Sequence, residues 1–171
     1  MKFSITIRIY ILLACLVAFW CAGIIAAPLL KQAGLHGGAD MVYSAYSRIC
    51  HQADSRSFHV GGEKFGVCIR CSAIYFGFLA GLLLLPWSGA LNQRRIPKPM
   101  VLVAVMIPMV VDVLLNDIGL HFSTTMTRVT TGLLFGGVMP WCIVPLFDEA
   151  CSQLLTKKKI HSPDSGKCLH V

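Results

Sequence analysis

Four long apolar stretches dominate this chain and restrict it to folds that can bury or embed them. The first covers residues 9–30, between Arg8 and Lys31, and the second residues 71–93, between Arg70 and Arg94. A third, residues 99–120, carries Asp112 and Asp117 only toward its far end, and a fourth covers residues 129–147, between Arg128 and Asp148. Each is near or above the roughly 20 apolar residues that a helix needs to cross about 30 Å of hydrocarbon. Only 13% of the residues are charged, about half the share of a soluble domain. The expected fold is therefore an all-α membrane bundle of four transmembrane helices, residues 1–151, followed by a flexible basic tail, residues 152–171. The first run is longer than the 7–15-residue core of a secretory signal, so it is expected to remain as a helix.

The basic residues orient the bundle. Lys2 and Arg8 precede the first run, Arg94, Arg95 and Lys98 fill the connection between the second and third, and Lys157, Lys158 and Lys159 follow the fourth. These segments, and with them both termini, are expected on the cytoplasmic side of a plasma membrane, with the lysine triplet at anionic headgroups. The net charge of +7 then follows from topology, with the bilayer as the partner and no nucleic acid required.

The loop at residues 31–70 falls on the outer side and changes character. After a flexible lead-in, GGAD, with Asp40 as a helix cap, Val42, Ala45, Tyr46 and Ile49 share one face at helical spacing, which predicts a short interfacial helix. SFHV and EKFGV flank Gly61-Gly62, the signature of two short strands around a tight turn. The helix delivers Cys50 and His51, and the hairpin returns the chain to Cys68 and Cys71 at the mouth of the second membrane helix.

A Cys-x-x-Cys turn lets two thiolates reach one ion, and Cys50 with His51 completes a Cys3His set suited to Zn2+. Neighbouring side chains diverge, so His59 is an alternative fourth donor. Cys68 and Cys71 could equally form a redox-active thiol pair or an inert disulfide, and the three readings stay open. A second polar cluster lies at the outer end of the third helix. Asp112 and Asn116 share a face, and an acid at that depth needs a partner, for which Arg128 is the expected choice. Ser123, Thr124 and Thr125 read as caps rather than nucleophiles. Gly77-x-x-x-Gly81 and Gly132-x-x-x-Gly136 permit close helix approach, within a chain or in a homo-oligomer. Cys15, Cys21 and Cys142 read as small apolar residues within helices, and Cys151, Cys168 and His170 as tail residues.

The segments CHQ, RSF and VCIRCSAIYFG, followed by IPMVVD and RVTTG, resemble a small prokaryotic membrane-protein family of unknown function that carries Cys-His-Gln and Cys-x-Arg-Cys-x-Gly-x-Tyr-x-Gly signatures. The resemblance runs from Arg48 to Gly136 and departs from the pattern at Ala73 and Val113, where glycine is usual. It implies a multi-pass prokaryotic membrane protein and marks Cys50, His51, Gln52, Arg56, Cys68, Arg70, Cys71, Tyr75, Asp112, Arg128 and Gly132 as motif positions. It implies no reaction. Three functions are compatible with these residues. One is a membrane metalloprotein with Zn2+ on Cys50, His51, Cys68 and Cys71, beside a cavity lined by Arg56, Asp112 and Arg128, the candidate catalytic groups. Another is a quinone-linked thiol oxidoreductase working through Cys68 and Cys71, with Arg70 favouring the thiolate. The third is a small-solute transporter built on the buried Asp112.

Overall fold

A computed structural model describes the backbone of residues 2–88, 99–120 and 123–160. It is mostly helical, with one small two-stranded sheet. The helices are α1 (Lys2–Gln32), α2 (His36–Ser47), α3 (Ile69–Leu84), α4 (Pro99–Asp117) and α5 (Thr125–Ile160), and the strands β1 (Ser57–Val60) and β2 (Glu63–Cys68) stand between α2 and α3. Three helices hold segments long and apolar enough to cross a membrane: Tyr10–Gln32, Met100–Asp117 and Thr125–Phe147. The fourth apolar helix, α3, has 16 residues and spans only about 24 Å.

Several helix ends differ from the apolar runs that predict them. Helix α3 stops at Leu84 rather than near residue 93, because Pro86 cannot donate to the next turn and disfavours helix before it. The basic connection at Arg94, Arg95 and Lys98 lies outside the described residues, as do Cys168 and His170. Helix α5 continues to Ile160, so residues 152–160, expected in the tail, are helical. Helix α4 ends at Asp117 in a reverse turn with Gly119 at φ 77°. There the Leu120 amide donates to the Leu115 carbonyl at 3.0 Å and the Gly119 amide to Asn116 at 3.3 Å, a paired closure that needs a left-handed residue.

The tightest helix contact joins α3 to α5. A methyl group added at Gly77 would sit 2.7 Å from the Leu133 carbonyl oxygen, and one at Gly132 would sit 2.7 Å from the Ala73 methyl. The two Gly-x-x-x-Gly motifs therefore face one another within the chain, with Ala73 filling the space against Gly132. Below this seam Leu82, Leu85 and Val144 form a buried cluster against Leu13 and Val17 of α1, and the Tyr10 hydroxyl donates to the Leu82 carbonyl at 2.7 Å. Among the described residues helix α4 packs chiefly on α5 and is otherwise largely exposed.

The cap formed by α2 and the hairpin docks on the C-terminal part of α1 more than on α3. Ile24, Tyr46, Cys50 and Val67 are buried together, and the Tyr46 hydroxyl donates to the Trp20 carbonyl at 2.6 Å. The hairpin has the expected two-glycine turn, with Gly61 and Gly62 at φ 57° and 84°, and its strands pair antiparallel with Val60 opposite Glu63. Lys31, at the end of α1, pairs with Glu63 at 2.7 Å, and Gln32 donates to the Val60 carbonyl at 2.5 Å. Helix α2 begins at His36, so the glycines and Asp40 lie inside it and Asp40 caps nothing. Its inward face is Ala39, Val42 and Tyr46, whereas Ala45 and Ile49, expected inward, are exposed.

Candidate metal centre

Cys50 lies one helical turn beyond Tyr46, its amide still bonded to the Tyr46 carbonyl at 3.0 Å, so its side chain follows Tyr46 into the core. Cys68 closes β2 and stands immediately before the first residue of α3, and Cys71 occupies that helix's first turn. Cys50 and Cys71 thus arrive from different elements and meet at the strand-to-helix junction. The three sulfur atoms lie within 4.8 Å of one another, with Cys50 buried and the other two half-buried. Two sulfurs on one tetrahedral Zn2+, each at ~2.3 Å, stand about 3.8 Å apart, so the cluster matches the span such an ion requires.

Backbone amides converge on these sulfurs. The Cys68 amide donates to Cys50 Sγ at 3.2 Å and the Gln52 amide to the same atom at 3.5 Å. The Cys68 thiol is lowered to about 5, foremost because the Cys71 thiol donates to it. Burial opposes this, and the Cys71 and Arg70 amides of the first helical turn and the Cys50 thiol add to the lowering. Hydrogen-bond donors aimed at a sulfur favour its thiolate, the form that ligates metal and attacks disulfides.

Gln52 holds Cys50 in place. Its backbone is left-handed at φ 50°, an unusual conformation for a non-glycine residue. The side-chain amide offsets that by donating to the Tyr43 carbonyl of α2 and the Gly66 carbonyl of β2, both at 2.8 Å. Lys64 Nζ closes the same corner by donating to the Gln52 carbonyl at 3.0 Å. The turn so formed points His51 away: it is exposed and stands outside the sulfur cluster. His59 is also exposed and pairs with Asp54 at 3.2 Å. Of the four residues expected to share one ion, the structure brings Cys50, Cys68 and Cys71 together and leaves His51 apart, because consecutive side chains diverge where α2 ends.

The second polar cluster is assembled differently from the sequence expectation. Asp112 is paired with Arg70, from the first turn of α3, and not with Arg128. Ser123 is the hub: its hydroxyl donates to Asp112 Oδ2 at 2.9 Å and accepts from Arg70 at 3.3 Å and from Arg128 Nε at 3.2 Å. Its amide donates to Asn116 Oδ1 at 3.2 Å. Thr124 caps α5 by accepting the Thr127 amide at 3.3 Å. Arg70 reaches Asp112 because its helix starts at the level where α4 ends, a relation in space that residue order does not reveal. Its guanidinium is consequently committed to Asp112. Arg56 lies exposed in a short 3-10 turn, Asp54–Arg56, above this cluster.

Of the remaining cysteines, Cys21 and Cys142 are buried and Cys15 is exposed on α1; no disulfide joins the described cysteines. The structural role of Gln52 escaped residue-by-residue reading, since only the left-handed turn makes its amide reach both α2 and β2.

A family model described as "Predicted membrane protein (DUF2085)" matches residues 50–142, more than half of the chain and the whole segment from the first cluster cysteine to the middle of α5. An uncharacterised protein of Methanocaldococcus jannaschii is 40% identical over 108 residues, which cover 63% of this chain and 69% of that relative. An uncharacterised protein of Methanothermobacter thermautotrophicus is 32% identical over 98 residues, 56% of this chain and 85% of the relative. No solved structure matches the chain. Apolar helices and a cysteine-bearing cap inside the matched segment agree with the family's description, and the chain belongs to this predicted membrane-protein family.

Proposed function

We propose that the chain is a four-span plasma-membrane protein that holds Zn2+ on Cys50, Cys68 and Cys71 at the outer membrane surface. The observation that carries this reading is the approach of three sulfurs within 4.8 Å, with two backbone amides donating to Cys50 Sγ. A disulfide joins sulfurs in pairs and would leave one buried thiol over; one ion uses all three. In the four-span arrangement α3 crosses a locally thinned bilayer, its shortness offset by bilayer deformation. Lys157 to Lys159, on the extension of α5, and the basic residues at 94, 95 and 98 then face the cytoplasm.

Three protein ligands leave a tetrahedral zinc one position for water or another ligand, where the ion acts as a Lewis acid. The residues around it perform separable tasks. Cys50 is fixed by Gln52, Cys68 supplies a thiolate favoured by the donors around it, and the Arg70 guanidinium is held by Asp112. Elemental analysis of the detergent-purified full-length chain tests the reading, with one zinc per chain expected and its loss in Cys68→Ser.

One further observation favours a second reading, the thiol oxidoreductase. Cys68 is a low-pKa thiol directly before a helix N-terminus and touches Cys71. In that reaction a thiolate of a substrate dithiol attacks the oxidised Cys68–Cys71 pair and expels the Cys68 thiolate. The second substrate thiol then displaces Cys71 as the substrate disulfide forms, and a quinone takes the two electrons and two protons, leaving as quinol, when the Cys68–Cys71 bond is remade. Alkylation with and without reductant separates the readings, since only the oxidoreductase gives a reversible Cys68–Cys71 bond. The transporter reading loses its support, because Asp112 is already neutralised by Arg70.

A further inference from the structure

Below the cysteines, α1, α3 and α5 leave an apolar groove of about 470 Å³, bordered by Trp20, Tyr75, Phe78, Phe135 and Met139. That volume falls within the range of small-ligand sites. On α5, Phe135 and Met139 follow Arg128 by seven and eleven residues. At 3.6 residues per turn all three lie within about 20° of one line, with Arg128 about 10 Å above Phe135. A basic group thus caps the outer end of an apolar track.

This cation is unbalanced. Arg128 is half-buried and gives its Nε to Ser123; among the described residues its two terminal nitrogens meet no acceptor. Asp112 is occupied by Arg70 and Ser123, and Arg56 and Arg70 are the like charges that act on Arg128. Three guanidinium groups, Arg56, Arg70 and Arg128, face the Asp112 carboxylate and the Cys68 thiolate, which leaves positive charge in excess. Arg70 Nε is itself buried with no partner. Guanidinium groups suit phosphate oxygens, which accept two parallel hydrogen bonds, and on α5 the groove residues Phe135 and Met139 follow Arg128 along one line.

We propose that the groove and Arg128 together bind one anionic phospholipid, with its phosphate on Arg128 beside Arg56 and an acyl chain along Phe135 and Met139. The reading rests on α5 spanning the membrane with Arg128 at the outer surface and is independent of the metal. A zwitterionic lipid offers the same phosphate but brings its own cation, so it gains less from the excess of guanidinium charge.

The test is native mass spectrometry of the full-length, detergent-purified chain titrated with phosphatidylglycerol, phosphatidylcholine or inorganic phosphate, with zinc content read on the same samples. One phosphatidylglycerol per chain is expected to persist at activation energies that strip phosphatidylcholine. Arg128→Gln should weaken phosphatidylglycerol binding roughly tenfold or more while leaving phosphatidylcholine unchanged. Met139→Trp, which fills the groove from a position outside the polar cluster, should weaken both lipids. Equal retention of the two lipids, an unaffected Arg128→Gln, an unaffected Met139→Trp, or displacement of the lipid by equimolar phosphate would each overturn the proposal. Should Arg128→Gln fail to fold, Met139→Trp and the phosphate competition decide it. Zinc loss without a change in lipid retention bears on the metal reading alone.

Discussion

Cys68 stands where a strand becomes a helix, and that position gives it a chemistry its two partners lack. With its thiol lowered to about 5, it is thiolate at neutral pH and becomes protonated only as the pH falls through 5. In metal-free, reduced protein the rate of Cys68 alkylation by iodoacetamide should reach half its plateau near pH 5 and stay flat above pH 7, as followed by peptide mass spectrometry. A half-rise near the ordinary thiol value of about 8.5 would mean that the surrounding donors do not act on it. Gln52 holds the opposite side of the cluster. Gln52→Leu removes two hydrogen bonds and should cost about 1–3 kcal/mol, measurable by SDS titration of the folded protein. His51→Ala should leave metal content unchanged, whereas a Cys3His centre would lose it. The Cys-x-x-Cys spacing and the Cys50 position announced the three sulfurs. The direction of His51 was not legible, because it depends on how the chain leaves α2 and on a left-handed residue two positions after Cys50.

At the scale of elements, two kinds of contact hold the helices: a seam of small residues and one ion pair. The seam between α3 and α5 brings backbones into direct approach at Gly77, Gly132 and Gly136. Gly136→Val would force a branched side chain against the Ile74 carbonyl and should destabilise the bundle by about 1–3 kcal/mol, with loss of the cap's near-UV signal. The ion pair links α3 to α4, which otherwise packs chiefly on α5. Arg70→Met leaves the Asp112 carboxylate uncompensated, a change that costs up to about 3–5 kcal/mol in a fully buried pair. Arg70 keeps 22% side-chain exposure, which places the expected loss below that range. The double replacement Arg70→Met with Asp112→Leu should recover most of it, and an additive double loss would contradict the pairing. The glycine motifs and the depth of Asp112 were readable from the residues. Which helices they join was not, since Arg70 and Arg128 are equally near Asp112 in plausibility until α3 and α5 are placed side by side.

For the whole molecule, the apolar runs marked where four helices lie, three of them long and apolar enough to cross a membrane, because a bilayer leaves backbone polar groups no partner except their own helix. Their ends were less legible: Pro86 shortens α3, and α5 continues past the uncharged run into a charged segment. The cap was recognisable as a helix and a hairpin, but its seat on α1 follows from Ile24, Tyr46 and Val67 packing together, a contact between distant parts of the chain. A membrane-impermeant maleimide should label Met41→Cys, on the exposed face of α2, from outside intact cells, and Gln153→Cys only after permeabilisation. The central claim is that the cap exists to bring three sulfurs to one ion, and the metal content of the purified full-length chain tests it most directly. One zinc per chain, lost in Cys50→Ser, Cys68→Ser and Cys71→Ser and retained in His51→Ala, is the predicted result. A folded, fully reduced protein with three titratable thiols and no bound metal would contradict it.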